Sequence, residues 1–422
     1  MPVNYIVLAI PVFFLLIAIE ILVARLMARD YYRLSDSIND LSCGIIQQFL
    51  DVFLKTALFA GYVFLFHNYR LFSIPNTSVL AWVVCFVGVD FFYYWFHRMS
   101  HEVNAFWAAH VVHHQSEEFN LSVALRQGAL QQAFSWVFYL PLAVVGFPPL
   151  MFLTLSSFNT LYQFWIHTRA IGKLGPVEWV FSTPSNHRVH HACNPKYIDK
   201  NYGGTLIVWD RLFGSFHEEE DEPVYGITKP LASWNPLWAN VHYWVELAEK
   251  AGRATRFADK LRMFVKPPGW QPEEMGGFLR PPEIDRASQR KFETPVPRGF
   301  GLYLLVQFLL VLGFSATLLW YQESLGRPAL AVGSAAIVWS LVNLGGLFEG
   351  RSWAFALEYV RVVLLVLLGL SIAAWAVVRP GPVFSAAVLA LAIGAGGALL
   401  LWLRRYRTLS VSAERPEAPA LS

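Results

Sequence analysis

The sequence predicts an all-α integral membrane protein, a multi-helix transmembrane bundle carrying a histidine-rich helical cap on its cytosolic side. Three observations carry this. The chain of 422 residues is 55% hydrophobic, 16% aromatic and only 15% charged, with a mean hydropathy of +0.40, whereas a soluble domain is about 25% charged. Long apolar runs, each able to cross a hydrocarbon layer of about 30 Å, alternate with short polar stretches. Finally, eight histidines fall into three runs: His97-x3-His101, His110-x2-His113-His114 and His187-x2-His190-His191. Positions i, i+3 and i+4 share a helix face, so each run can aim several imidazoles at one point.

Taken in order, the run from Tyr5 to Leu22 lacks a basic leader and an A-x-A-like cleavage site, so it reads as a retained transmembrane helix. Arg25, Arg29 and Arg33 follow it and assign the next loop to the cytoplasm. Apolar stretches at 43–66 and 79–96 make two further crossings and bring His97 back to that side. Asp90, Tyr94, His97 and His101 lie on one face of the third segment. An unpaired aspartate in a spanning helix costs about 2.5–3.5 kcal/mol at the bilayer centre, so Asp90 is read as a partner of a ligand histidine or as a helix–helix contact. The block from Gln131 to Trp165 breaks at Gly146-Phe147-Pro148-Pro149, the pattern of a helical hairpin that returns His167 to the cytoplasmic face. Residues 168–298 are polar, and seven prolines between Pro267 and Pro297 mark the part after Lys250 as an extended linker. Four apolar blocks follow, at 302–321, 329–347, 359–378 and 383–403, with Glu349, Arg351, Glu358 and Arg361 placed near their ends for snorkelling or ion pairing.

Clustered neutral imidazoles indicate metal. One zinc needs three or four ligands, so eight, with His167 as a ninth, imply two ions; His67, His217 and His242 are ordinary histidines. Cys43, Cys85 and Cys193 form no CxxC pair and no disulfide framework, and Cys193 reads as a bystander beside His191. A net charge of +3 without a basic, aromatic-interleaved stripe argues against a nucleic-acid partner. A two-metal site backed by apolar helices points to chemistry on the hydrocarbon of a lipid. Iron suits this better than redox-inert zinc, because an unactivated C–H bond demands an oxidant made from O2. The cap would thus sit over a di-iron site. No GxGxxG fingerprint and no haem or iron–sulfur motif is present, which implies an external electron donor. Carboxylates should compensate the charge and orient the rings; Asp90, Glu102, Glu117, Glu118, Asn120 and Asp199 are the candidates, with surface or helix-capping roles as the alternative.

These motifs, between about Ser37 and Phe216, resemble the integral-membrane fatty acid hydroxylase and sterol desaturase superfamily, whose signature is HxxxH, HxxHH and HxxHH. HVVHHQSEEFNLSVALRQ, FWIHT, NHRVHH and DKNYGGTLIVWDRLFG are most similar to its alkylglycerol monooxygenase branch. The resemblance implies a di-iron, O2-dependent monooxygenase that hydroxylates an ether lipid beside the ether oxygen, with tetrahydrobiopterin as reductant. It implies metal ligation by His97, His101, His110, His113, His114, His167, His187, His190 and His191, and it places Glu118, Asn120 and Arg126 in a stretch the branch shares; Gln115 stands where the branch has serine. The expected organisation is a transmembrane anchor at 1–36, a fatty acid hydroxylase-like di-iron domain at 37–245, a Pro-rich cytosolic linker at 246–299, C-terminal transmembrane helices at 300–405 and a disordered tail at 406–422. Two alternatives stay open. One is a hydroxylase or desaturase of fatty acyl chains, sterols or carotenoids. The other, of a different class, is a non-catalytic metal-binding membrane protein.

Overall fold

Apolar length explains most of the architecture in the computed structural model, which describes residues 5–287, 289–376 and 382–406. Among the described residues, seven helices are long and apolar enough to cross a membrane: α1 (Tyr5–Leu26), α2 (Leu34–Tyr69), α3 (Val79–Glu102), α11 (Arg298–Trp320), α12 (Arg327–Phe348), α13 (Ser352–Ala376) and α14 (Pro382–Tyr406). Between them lie α4 (Asn104–His114), α5 (Gln131–Val145), α6 (Pro149–Trp165), α7 (Pro184–His190), α8 (Val208–Phe213), α9 (Pro236–Arg253) and α10 (Phe257–Val265). Among the described residues, extended pairing is confined to two isolated antiparallel bridges, Phe181 with Leu206 and Ala192 with Tyr225. The chain divides into two units, residues 1–231 with 237–291, and residues 232–236 with 292–422.

In the first unit, α2 begins well before its apolar run. Its opening turns bury Asp36, Asn39 and Asp40, held by Arg33 at 2.9 Å from Asp36 and by Arg126 at 3.1 Å from Asp40. Those ion pairs extend the helix beyond the hydrophobic segment that composition alone marks. The break at Gly146 is a hairpin turn: Gly146 has φ 112° and donates to the Leu142 carbonyl at 3.1 Å. A Cβ there would lie 2.0 Å from the Phe72 carbonyl oxygen, so only glycine fits. The 15 and 17 residues of α5 and α6 reach about 22–26 Å, short of a full crossing. Tyr62, Cys85, Val89, Leu142, Phe147 and Met151 join α2, α3 and this hairpin in one core.

Helix α1 does not stand apart from the first unit. Ile17 packs with Leu121 and Phe164, and Glu20, 4% exposed inside α1, accepts the Leu121 amide at 2.8 Å and the hydroxyls of Tyr32 and Thr168. The expected linker also folds further than its prolines suggest. Leu247 and Ala251 of α9, with Ala254 just past its end, pack against Met263 of α10, and Trp270 and Met275 close a small core; from 276 to 297 the described residues form neither helix nor strand.

In the second unit, Glu358 is fully buried and bound from three helices. Tyr303 of α11 donates to it at 2.6 Å, Asn343 of α12 at 2.8 Å, and Arg361 of α13 at 2.6 and 2.9 Å. Of the two tolerances expected for these charges, ion pairing applies here and snorkelling does not. From residue 407 onward, the expected disordered tail lies outside the described residues.

Candidate metal centre

All nine histidines picked out from the sequence are buried and converge in two groups: His97, His101, His110, His114 and His190 in one, His113, His167, His187 and His191 in the other. Within each group the ring nitrogens lie within 4.8 Å of one another. The groups adjoin, with the His114 and His191 rings stacked 4.4 Å apart. Each HxxHH run divides between them, contrary to the simple expectation that a run converges on one point. His110 and His114, four apart on α4, share a group while His113 serves the other; His187 and His191 pair likewise across α7 and its C-cap, and His190 crosses over. The 100° step of the helix makes this separation, so one short helix can feed two centres.

The geometry fits metal ions. Nε2 of His110 lies 3.1 Å from that of His97 and 3.2 Å from that of His114; His167 lies 3.2 Å from His113 and 3.0 Å from His187, and His187 lies 3.2 Å from His191. Imidazole nitrogens bound to one ion at about 2.0–2.1 Å stand about 2.9–3.4 Å apart. Nε2 of His101 and of His190 is buried without a hydrogen-bond partner, a loss of about 1–3 kcal/mol per atom that a coordinated ion would remove.

The opposite ring nitrogens set the tautomers. Nδ1 of His97 donates to the Tyr202 carbonyl at 2.7 Å, His113 to Arg126 at 2.7 Å, His167 to Gln163 at 2.7 Å and His190 to Lys200 at 2.9 Å. His110 donates to the Gln131 side-chain oxygen at 2.9 Å. A carbonyl can only accept, so each of these rings carries its proton on Nδ1 and leaves the Nε2 lone pair for a ligand bond. Burial, with neighbouring imidazoles, holds His113, His114, His187, His190 and His191 well below the ordinary imidazole range. Burial alone brings His110 and His167 down to about 4. The cluster is therefore neutral at neutral pH, as metal binding requires.

The acidic candidates are mostly engaged elsewhere. Asp90 accepts from Asn159 at 2.7 Å, the amides of Thr205 and Leu206 at 2.8 and 3.1 Å, and the Trp209 indole at 2.9 Å; it braces α3 against α6 and the 203–209 segment instead of touching a histidine. Glu118 pairs with Arg33, Arg169 and Lys291, Glu117 with Arg33 and Glu102 with Arg98. Asn120 ties the Tyr31 carbonyl to Ser122. Only Asp199 approaches a ring, at 3.7 Å from His101. Arg126 serves through its main chain, while its guanidinium binds Asn39, Asp40, Val112 and Gln115. Gln115 also donates to the Ala239 carbonyl at 3.0 Å. Cys193 joins neither group, and burial pushes its thiol up to about 11.

Sequence reasoning missed Gln131 and the carbonyls of Gln163, Lys200 and Tyr202. Main-chain acceptors leave no residue signature, and Gln131 is one polar residue at the start of an apolar helix. Glu20 was readable, as the one acid inside the first apolar run.

The fatty acid hydroxylase family model matches residues 82–215, which include every one of these histidines. Alkylglycerol monooxygenase of Xenopus tropicalis is 39% identical over 367 residues, covering 86% of this chain and 82% of its own. The Homo sapiens and Danio rerio proteins of the same name are 37% and 38% identical over 368 residues, again at 86% and 82% coverage. No solved structure matches the chain. Similarity that extends so far beyond the histidine motifs places the chain in the alkylglycerol monooxygenase family, within the fatty acid hydroxylases.

Proposed function

We propose that this protein is an integral-membrane di-iron monooxygenase that hydroxylates an ether lipid at the carbon beside the ether oxygen, using O2 and an external reductant, a reduced pterin such as tetrahydrobiopterin. The observation that carries this reading is the pair of buried histidine groups with ligand nitrogens within 4.8 Å of one another. Alignment with alkylglycerol monooxygenases across 86% of the chain favours an ether lipid over a fatty acyl, sterol or carotenoid substrate.

Two iron ions held by the nine histidines would supply the activation of O2 needed to attack a C–H bond. The net reaction inserts one oxygen atom into that bond and reduces the other to water, with two electrons and two protons from the donor. The resulting hemiacetal separates into a fatty aldehyde and glycerol. The chain's own contribution is to orient and to exclude water. Carbonyls from four segments fix the rings, Trp107 lies against His101 and His114 at 4.9 and 5.5 Å, and Phe119 lies against His167 and His191 at 5.7 and 5.2 Å. A cytoplasmic site is supported by Arg25, Arg29 and Arg33 between α1 and α2; the Asn120 bond to Tyr31 joins that loop to the site's side of the protein.

The test is anaerobic metal analysis of detergent-purified protein, followed by an O2-dependent assay with an alkylglycerol and reduced pterin. Two irons per chain and aldehyde release are expected, with turnover and the iron of the altered group lost in His113→Ala or His190→Ala and both kept in His67→Ala. Iron without aldehyde would reopen the substrate, whereas binding without any turnover would leave a metal-binding protein.

A further inference from the structure

We propose that α10 is an interfacial foot that docks the first unit on an anionic lipid surface. This goes beyond the proposed reaction and does not depend on the identity of the metal. Phe257, Leu261 and Val265, at i, i+4 and i+8, form a stripe that is 74%, 56% and 63% exposed. The opposite face is buried, with Met263 at 0% and Asp259 at 5%. Packing of the unit therefore accounts for one face of this helix and leaves an apolar one outward.

The flanking charge is one-sided. Arg253, Arg256, Lys260, Arg262 and Lys266 lie within residues 253–266 against the single acid Asp259, which pairs with Arg262 at 2.9 Å. An apolar stripe bordered by cations is the pattern of a helix lying in the headgroup plane of an acidic bilayer. Between two copies of the chain the same charges would repel.

The height of α10 is fixed by α3. The carbonyl of Lys266 accepts the Asn104 amide at 3.0 Å, and that of Met263 accepts the Asn104 side chain at 2.8 Å. Asn104 lies two residues beyond the end of α3 at Glu102. A 24-residue helix is about 36 Å long, so its end emerges at the edge of a hydrocarbon core of about 30 Å. Asn104 also opens α4, which carries His110, His113 and His114. Docking of α10 would thus set the depth of three ligand histidines relative to the lipid.

The experiment uses the full chain in nanodiscs of phosphatidylcholine, with or without about 30% phosphatidylserine. Leu261→Cys, and separately Phe257→Cys, is labelled with an environment-sensitive fluorophore; Cys43, Cys85 and Cys193 are buried and escape the label. Variants are carried forward when metal content matches the unsubstituted protein. The expected result is blue-shifted emission, quenching by spin-labelled lipid and protection from aqueous iodide, each strengthened about two-fold or more by phosphatidylserine and reversed in the Arg256→Glu, Lys260→Glu background. Iodide quenching in both lipids would overturn the proposal. So would lipid quenching indifferent to phosphatidylserine, and so would shielding from both quenchers, which would mean that a second copy covers the stripe.

Discussion

Gln131→Leu is the sharpest test of how the histidine site is tuned. Among the ring anchors, Gln131 is the one neutral side chain, 2.9 Å from Nδ1 of His110; the other carbonyl anchors are main-chain groups that substitution cannot remove. Without it, a buried N–H loses its acceptor at a cost of about 1–3 kcal/mol. The ring can avoid that cost by moving its proton to Nε2, which converts the ligand atom into a donor. Either route should weaken metal binding in the five-histidine group by about 10–100-fold, equivalent to about 1.4–2.7 kcal/mol. The four-histidine group does not touch Gln131 and should be unaffected. Metal per chain against chelator concentration reads this directly: one ion should leave at a 10–100-fold lower concentration while the other follows the unsubstituted curve, and Gln131→Glu should restore retention. Two ions released on the unsubstituted curve would refute the reasoning, as would simultaneous loss of both from a variant whose melting is unchanged.

Three further outcomes are expected. Asp90→Ala strands the Asn159, Thr205, Leu206 and Trp209 donors, which should cost about 3–5 kcal/mol; loosening of the adjoining Tyr202 carbonyl should appear as a lower melting midpoint and faster proteolysis near residue 205. Glu358→Ala leaves the Arg361 charge buried beside Gln307 and should destabilise the C-terminal helices by about 3–5 kcal/mol, with Glu358→Gln milder, as read by unfolding in detergent. In metal-free protein, His110 and His167 stay neutral down to about 4 while the unfolded chain protonates near 6.5. The unfolded state therefore binds more protons between those values, and stability should fall with pH there by about 1.4 kcal/mol per unit for each; a melting midpoint unchanged between pH 7 and 5 would contradict this.

The two histidine groups were legible because helix geometry acts on spacing. His97 and His101, His110 and His114, and His187 and His191 are each one turn apart and share a group. Their split into two groups follows from the same period and could have been drawn from it. The helical hairpin was legible because Gly146 and two prolines break an otherwise apolar block. The linker was misjudged because proline content masked the periodic apolar face of Leu247, Ala251 and Ala254. Asp90 was ambiguous because a buried carboxylate needs donors, and a sequence does not distinguish an imidazole from the amides of Thr205 and Leu206.

Three of the carboxylates expected to compensate the metal charge are instead paired with cations: Glu118 with Arg33, Arg169 and Lys291, Glu117 with Arg33, and Glu102 with Arg98. Rings anchored by neutral carbonyls receive little added negative charge. Two divalent ions among such ligands would keep most of their charge, and a positive environment favours the reduced state of a metal because oxidation adds another positive charge. A centre of this kind should accept electrons from a donor of modest strength, as a reduced pterin is. Gln131→Glu tests the point separately from metal retention. It keeps the acceptor for His110 but places an anion one ring away, which at an effective dielectric constant near 20 amounts to a few kcal/mol, or on the order of 100 mV for one electron. The midpoint potential of the five-histidine ion should fall by that order, and the same anion should hold the ion at least as tightly against chelator as the unsubstituted protein does. An unchanged potential would mean that the surrounding cations screen the site and that the neutral anchors do not set its redox behaviour.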